Sequence, residues 1–153
     1  MKHSTMVGIA LVILLLLVGG FLISPFSPLN KVNVDGQSFD LPTGYTVANS
    51  SKSGVTITNN TTSLSIYPTK ENTTDLKEAT KDYKNKYVED FNVTVKKLNT
   101  TDSQEVYKTV ATPDNQTVTV YWFNHEDKMY KIRSENADKD TDNIALKVIS
   151  SMN

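Results

Sequence analysis

The order of apolar and polar residues divides the chain into one continuous apolar stretch and a longer region of alternating patterns. Residues 6–23 are 18 consecutive apolar residues or glycines, and no charged side chain occurs between Ser4 and Asn30. An α-helix of that length is about 27 Å long, close to the hydrocarbon thickness of a bilayer. The pattern predicts a transmembrane helix over residues 6–23.

The flanking residues give this predicted helix an orientation. Lys2 and His3 precede it, and positive charge is retained in the cytoplasm. Residues 1–5 are therefore predicted to be a cytoplasmic end, and residues 6–23 an uncleaved signal-anchor in contact with the lipid bilayer. The alternative is a secreted protein with a cleaved signal, for which residues 18–20 are the nearest approach to a small-x-small cleavage site.

A short proline-containing segment follows the apolar stretch. Pro25 and Pro28 lack an N–H group and bias the preceding residues towards extended conformations, so they end a helix. Residues 24–30 are predicted to be a stiff spacer. Residues 31–153 are then an extracytoplasmic domain of a single-pass cell-membrane protein.

Short alternating runs in residues 31–153 predict strands separated by turns rich in glycine, proline and asparagine. The tight turn at Asp35-Gly36 joins the first two, and the first five are predicted to form a β meander. The predicted strands are 31–34, 37–41, 45–48, 55–58, 63–67, 91–98, 106–111, 117–123 and 129–135.

Two segments change to a helical period. Residues 74–90 place four apolar residues on one stripe, with Thr74 or Asp75 as the cap and Glu78 as the capping-box partner. That stripe consists of Leu76, Ala79, Tyr83 and Tyr87. Residues 141–152 form the second amphipathic helix. The predicted fold class is α+β, a transmembrane helix followed by a mainly antiparallel sheet that two amphipathic helices flank.

The strand and turn at residues 38–45 carry a family resemblance. Phe39 begins a Phe-x-x-Pro-x-Gly-aromatic motif, FDLPTGY, and the element order strands, helix, strands, helix follows it. In both respects the chain resembles the Mog1/PsbP-like domains. The resemblance implies an antiparallel sheet flanked by helices and a binding or assembly role without a catalytic residue set. The composition, rich in Asn and Thr on one anchor, also resembles small archaeal cell-surface proteins.

Composition narrows the chemistry. The chain has no cysteine, which excludes disulfides, thiolate metal sites and Cys nucleophiles, and its net charge of −1 argues against nucleic acid as a partner. His3 and His125 lie on opposite sides of the apolar stretch, so they cannot share a metal. No catalytic residue, cofactor or metal is predicted. An envelope enzyme, a metal-assisted or His125-assisted hydrolase, is the alternative function.

The acidic run at residues 138–143 has the alternating acids of a calcium loop. Its sixth position is Asn143 where glycine is expected, and its twelfth is Ile149, which cannot supply a carboxylate. We therefore interpret the run as the cap of the last helix, provided by Asp140, Thr141 or Asp142.

Seven Asn-x-Ser/Thr sequons are candidate glycosylation sites, and most fall in predicted turns. They begin at Asn49, Asn59, Asn60, Asn72, Asn92, Asn99 and Asn115.

The strand 117–123 has two faces that predict different environments. Val118, Val120 and Trp122 share the face expected in the core. Tyr121 and Phe123 lie on the other face, which is either covered by a helix, the interpretation we favour, or a candidate partner surface. The sequence thus predicts a membrane-anchored, non-catalytic binding or scaffolding module with an envelope protein as partner.

Overall fold

The computed structural model describes residues 31–71 and 73–153, which belong to one compact unit, Lys31–Asn153. The predicted cytoplasmic end 1–5, transmembrane helix 6–23 and spacer 24–30 lie outside the described residues.

The described part of the chain has two α-helices, α1 (Leu76–Tyr87) and α2 (Thr141–Ser150). They are 12 and 10 residues long, or about 18 and 15 Å, against a hydrocarbon core of about 30 Å. No helix in residues 31–71 and 73–153 is long and apolar enough to cross a membrane. This finding does not support the predictions of an N-terminal transmembrane helix, a signal-anchor and a single-pass membrane location. These predictions are corrected on that ground.

The predicted α+β class of residues 31–153 is confirmed, and every strand pairs antiparallel. β1 and β2 pair only with each other, and the other strands form a seven-stranded sheet in the order β3-β4-β5-β9-β8-β7-β6. The strands are β1 (Lys31–Val34), β2 (Gln37–Asp40), β3 (Thr46–Ser51), β4 (Gly54–Thr58), β5 (Ser63–Pro68), β6 (Val93–Leu98), β7 (Val106–Ala111), β8 (Val118–His125) and β9 (Lys128–Glu135).

The prediction of a five-stranded meander is therefore wrong for its first two strands, because β1 and β2 do not belong to the large sheet. The β1–β2 hairpin is a separate layer because Val32, Val34 and Phe39 bury their side chains against the inner face of the large sheet. Asp35 and Gly36 both have positive φ at its turn, 50° and 84°, a conformation that this pair adopts at low cost. The Lys128 ammonium binds the Asp35 carboxylate at 2.7 Å and so joins the turn to the start of β9.

Helix α1 is shorter than predicted at both ends. The carboxylate of Asp75 accepts from the Glu78 backbone N–H at 3.0 Å, which confirms the predicted cap and starts the helix at Leu76. Glu78 does not complete a capping box, since its carboxylate accepts from the Thr73 hydroxyl instead. After Tyr87 the N–H groups of Asp90 and Phe91 both point to the Tyr87 carbonyl and close the last turn.

Two apolar layers cover the two faces of the large sheet. The inner layer is the larger and contains the hairpin, α2 and the inner side chains of β4, β5, β8 and β9. The outer layer contains α1 and a smaller set of sheet residues. Its buried members are Leu76, Ala79, Val120, Trp122 and Met129. Since α1 contacts β6, β7 and β8, it covers only part of the outer face.

Candidate ligand-binding groove

A groove of about 990 Å³ lies where α1 meets the outer face of the sheet. Its floor is formed by β7 and β8 side chains, one wall by α1, and the other wall by β5, β9 and the segment before α1. Alternation along β9 explains the second wall, because Lys131 and Arg133 lie on the same face as Met129 and the opposite face from Tyr130 and Ile132. We call this cavity the aromatic groove.

Four aromatic rings follow one another along the α1 side of the groove. The Tyr83 ring meets the edge of Trp122 with centroids 5.3 Å apart, Tyr87 lies 5.0 Å from Tyr83, and Phe91 stacks on Tyr87 at 6.1 Å. Tyr67 faces them from β5. Tyr83, Tyr87 and Phe91 are partly exposed, so the groove offers apolar ring surface to a ligand.

Trp122 is the buried end of this row. Its exposed fraction is 1%, and its indole N–H donates to the Thr109 hydroxyl at 2.9 Å. The Lys131 ammonium lies 4.1 Å from the Trp122 ring centroid, within the range of a cation–π contact. Trp122 at the floor of the groove is therefore held by a hydrogen bond, and Lys131 of the β9 wall supplies a positive charge beside it.

Lys131 also forms the best-buried ion pair of the groove. Its ammonium lies 2.5 Å from the Glu71 carboxylate, and the two side chains are 14% and 37% exposed. Burial disfavours the charged form of Glu71, but the hydrogen bond and the charge of Lys131 outweigh it and lower the pKa of that carboxyl. The Glu71 carboxylate is thus ionised at neutral pH.

The remaining charges lie on the rims. Arg133 binds Glu135 of the same strand at 2.8 Å, and the Lys86 ammonium lies 5.3 Å from the Tyr87 centroid. Glu78 and Asp82 lie one turn apart on α1. Burial raises the pKa of the Tyr67 and Tyr83 hydroxyls, which are therefore neutral hydrogen-bonding groups at physiological pH.

The candidate partner surface at Tyr121 and Phe123 is in the inner core. Both side chains are 0% exposed, and Phe123 stacks on Tyr130 at 5.7 Å beneath the layer that contains α2. The interpretation that a helix covers this face is confirmed, and the alternative of an accessible partner surface is corrected. The opposite face, expected to be plain core, carries the groove because α1 covers only part of it.

In the acidic run before α2, Asp140 is at the N-cap position, but its side chain makes no capping hydrogen bond. Asp138, and not Asp140 or Asp142, accepts from the backbone N–H groups of Asp140 and Thr141 and from the Thr141 hydroxyl. These hydrogen bonds, that of Thr141 first, lower the pKa of the Asp138 carboxyl. Among residues 31–71 and 73–153, no three His, Cys, Asp or Glu side chains are grouped to hold a metal ion.

His125 ends β8 and lines neither the aromatic groove nor a smaller cavity of about 340 Å³ between the β6–β7 turn and α2. Its ring meets the edge of Tyr130 at 6.5 Å. The polar pocket that would favour a hydrolase at this residue is therefore not found at either cavity.

The candidate glycosylation sites are spread over the surface. Five of the asparagines are exposed, namely Asn49, Asn60, Asn92, Asn99 and Asn115. Asn59 is partly buried, and its side-chain carbonyl accepts from the N–H groups of Thr61 and Thr62. Asn72 lies outside the described residues. Asn99 lines the smaller cavity. Glycosylation at these positions stays a prediction.

Sequence reasoning missed the polar part of the groove. Alternation in 129–135 already places Lys131 and Arg133 on one face, and this is the signal that could have found them. The neighbour that pairs with Lys131 could not be found this way, because Glu71 precedes it by 60 residues in a connecting segment.

A comparison with solved structures finds similar folds. The chain is similar to the solution structure of cyanobacterial PsbP (CyanoP) from Synechocystis sp. PCC 6803, with 18% identity and a TM-score of 0.42, over 78% of this chain and 86% of that chain. No family model matches the chain, and no curated protein matches it. The resemblance to archaeal cell-surface proteins stays a prediction.

Proposed function

We propose that this chain is a binding module and that the aromatic groove is its ligand site. The observation that carries the proposal is a cavity of about 990 Å³ with five aromatic side chains and charges of both signs. Ligand sites typically have volumes of about 300–1,000 Å³ and combine aromatic surface with a few polar groups. Aromatic and Arg side chains are also the residues that most often dominate binding energy at protein interfaces.

The layout of the groove supports this role. The ring surface of Tyr87 and Phe91 is partly exposed beside it, while Trp122 at the floor is held by Thr109. Rigid aromatic side chains lose little conformational freedom on binding, so they contribute contact area at low entropic cost. Scaffolding of an envelope protein is a second hypothesis for the same binding function.

Trp122 provides a direct test, because it is the single tryptophan of the chain. The full chain labelled with fluorinated tryptophan gives one fluorine NMR signal, at the groove floor. We expect at least one of three small aromatic probes, benzamide, benzylammonium or benzoate, to shift this signal in a saturable way. The Tyr87→Ala and Phe91→Ala variants should weaken that binding.

The control is Val95→Ala, which shortens an apolar side chain on the β6 surface, 37% exposed and outside the groove. This variant should bind as the wild type does. If none of the three probes shifts the Trp122 signal, or if Val95→Ala weakens binding as much as Tyr87→Ala, the groove is not the ligand site.

A further inference from the structure

The ammonium of Lys131 lies in a partly buried position, where it requires an anionic partner. Its side chain is 14% exposed and lies between the Trp122 ring, at 4.1 Å, and the Glu71 carboxylate, at 2.5 Å. A charge that has lost most of its water is strongly destabilised without an opposite charge, so this position selects an anion.

The carboxylate that pairs with Lys131 belongs to Glu71, which another carboxylate could replace without disturbing the fold. Glu71 lies in the connection between β5 and α1, outside any helix or strand, and is 37% exposed. The other well-buried pair is different, since the acid partner of Lys108 is Asp142 on α2, which also accepts from the buried Tyr121 hydroxyl. Exchanging Glu71 for another carboxylate would keep one ion pair and break no element of the fold.

Apolar ring surface lies directly beside this cation. Trp122 contacts both Lys131 and Tyr83, and Tyr83 continues the aromatic row towards Tyr87. A ligand that placed a carboxylate on Lys131 would therefore have its neighbouring atoms against aromatic rings.

We infer that the groove takes a ligand with a carboxylate attached to an apolar or aromatic group, that Lys131 receives this carboxylate, and that Glu71 occupies its position in the free protein. The inference rests on the proposed function and adds to it the charge of the ligand and a competing internal group. It predicts that Glu71 opposes binding although it does not contact the aromatic part of the ligand.

The test compares benzoate with benzamide, which has the same ring and no charge, on the full chain by the Trp122 fluorine signal. We expect benzoate to bind more tightly than benzamide by at least about tenfold, the ratio that corresponds to about 1.4 kcal/mol. Glu71→Gln should tighten benzoate several-fold and leave benzamide unchanged. Lys131→Met should abolish the preference for benzoate, and Lys131→Arg should retain it.

Glu135→Gln is the matched control, because it removes the acid from the exposed Arg133 pair on the same strand. It should leave the affinity for benzoate unchanged. Equal affinities for benzoate and benzamide in both wild type and Glu71→Gln would overturn the inference, while leaving the groove as a binding site. Weaker benzoate binding in Glu71→Gln would overturn it as well. Failure of every probe would instead remove the proposed function.

Discussion

At the residue scale, each face of the sheet carries a partly buried lysine, and the two lysines pair with acids in different ways. Lys108 and Asp142 tie α2 to β7 at 2.6 Å, and the Tyr121 hydroxyl donates to the same carboxylate at 2.5 Å. Burial and the neighbouring Asp142 charge raise the pKa of Tyr121, so its hydroxyl stays protonated and keeps donating. The Asp142 carboxylate is thus a structural acceptor, in contrast to Glu71 in the groove.

This arrangement predicts acid sensitivity at Asp142. Burial disfavours its charged form, but the hydrogen bonds from Lys108 and Tyr121 outweigh burial and lower the pKa of the carboxyl below its ordinary value of 3.8. A group with a lowered folded-state pKa stabilises the fold above its unfolded pKa and loses that effect as the pH falls through the folded value. We expect Asp142→Asn to lower the free energy of unfolding at pH 7 and to lower it progressively less below about pH 4.

Urea unfolding of wild type and Asp142→Asn at several pH values measures this difference. Asp127→Asn, in the exposed β8–β9 turn, is the control and should behave as the wild type throughout. A difference between wild type and Asp142→Asn that stayed constant from pH 7 to pH 2.5 would show that the charge of Asp142 contributes nothing.

At the element scale, the sequence predicted the approximate bounds of most helices and strands. It could not predict which apolar layer covers which face of the sheet. Alternation and turn residues predicted all nine strands and both helices close to their observed positions. Alternation shows that Trp122 and Phe123 lie on opposite faces, yet it does not show which face receives the larger layer. That depends on where α1, α2 and the β1–β2 hairpin pack, and on the pairing of β5 with β9, which joins residues more than 60 positions apart.

The capping residue at the start of α1 allows the cost of its loss in unfolding free energy to be predicted. Asp75 caps the helix by accepting from the Glu78 N–H, and its own N–H donates to the Thr73 hydroxyl. Replacing a capping Asp by Ala typically costs about 0.5–2 kcal/mol. We expect Asp75→Ala to lower the free energy of unfolding by about 1 kcal/mol in urea titrations, and Asp75→Asn to lose much less, because the amide oxygen can still accept. Equal losses in both variants would contradict a capping role.

At the scale of the whole unit, the small hairpin and the large sheet share one core. Phe39 of β2 is 0% exposed and belongs to the same apolar layer as Ile57, Phe123 and Tyr130 of the sheet. Backbone hydrogen bonds of 2.7 and 2.8 Å between Ser38 and Asn153 also join the hairpin to the segment that follows α2. The hairpin therefore contributes to the stability of the sheet.

Phe39→Ala tests this coupling from the opposite side of the molecule. Truncating a buried Phe costs about 3–5 kcal/mol through lost burial and the cavity left behind. Trp122 reports the outer face of the sheet, which the hairpin does not touch, so its fluorescence shows whether that loss reaches the whole unit. We expect the urea midpoints from Trp122 fluorescence and far-UV circular dichroism to fall together.

Phe91→Ala, the same change at a partly exposed ring, should lower them much less. A Trp122 midpoint that stays at its wild-type value in Phe39→Ala would mean that the hairpin unfolds on its own and that the shared layer does not couple the two.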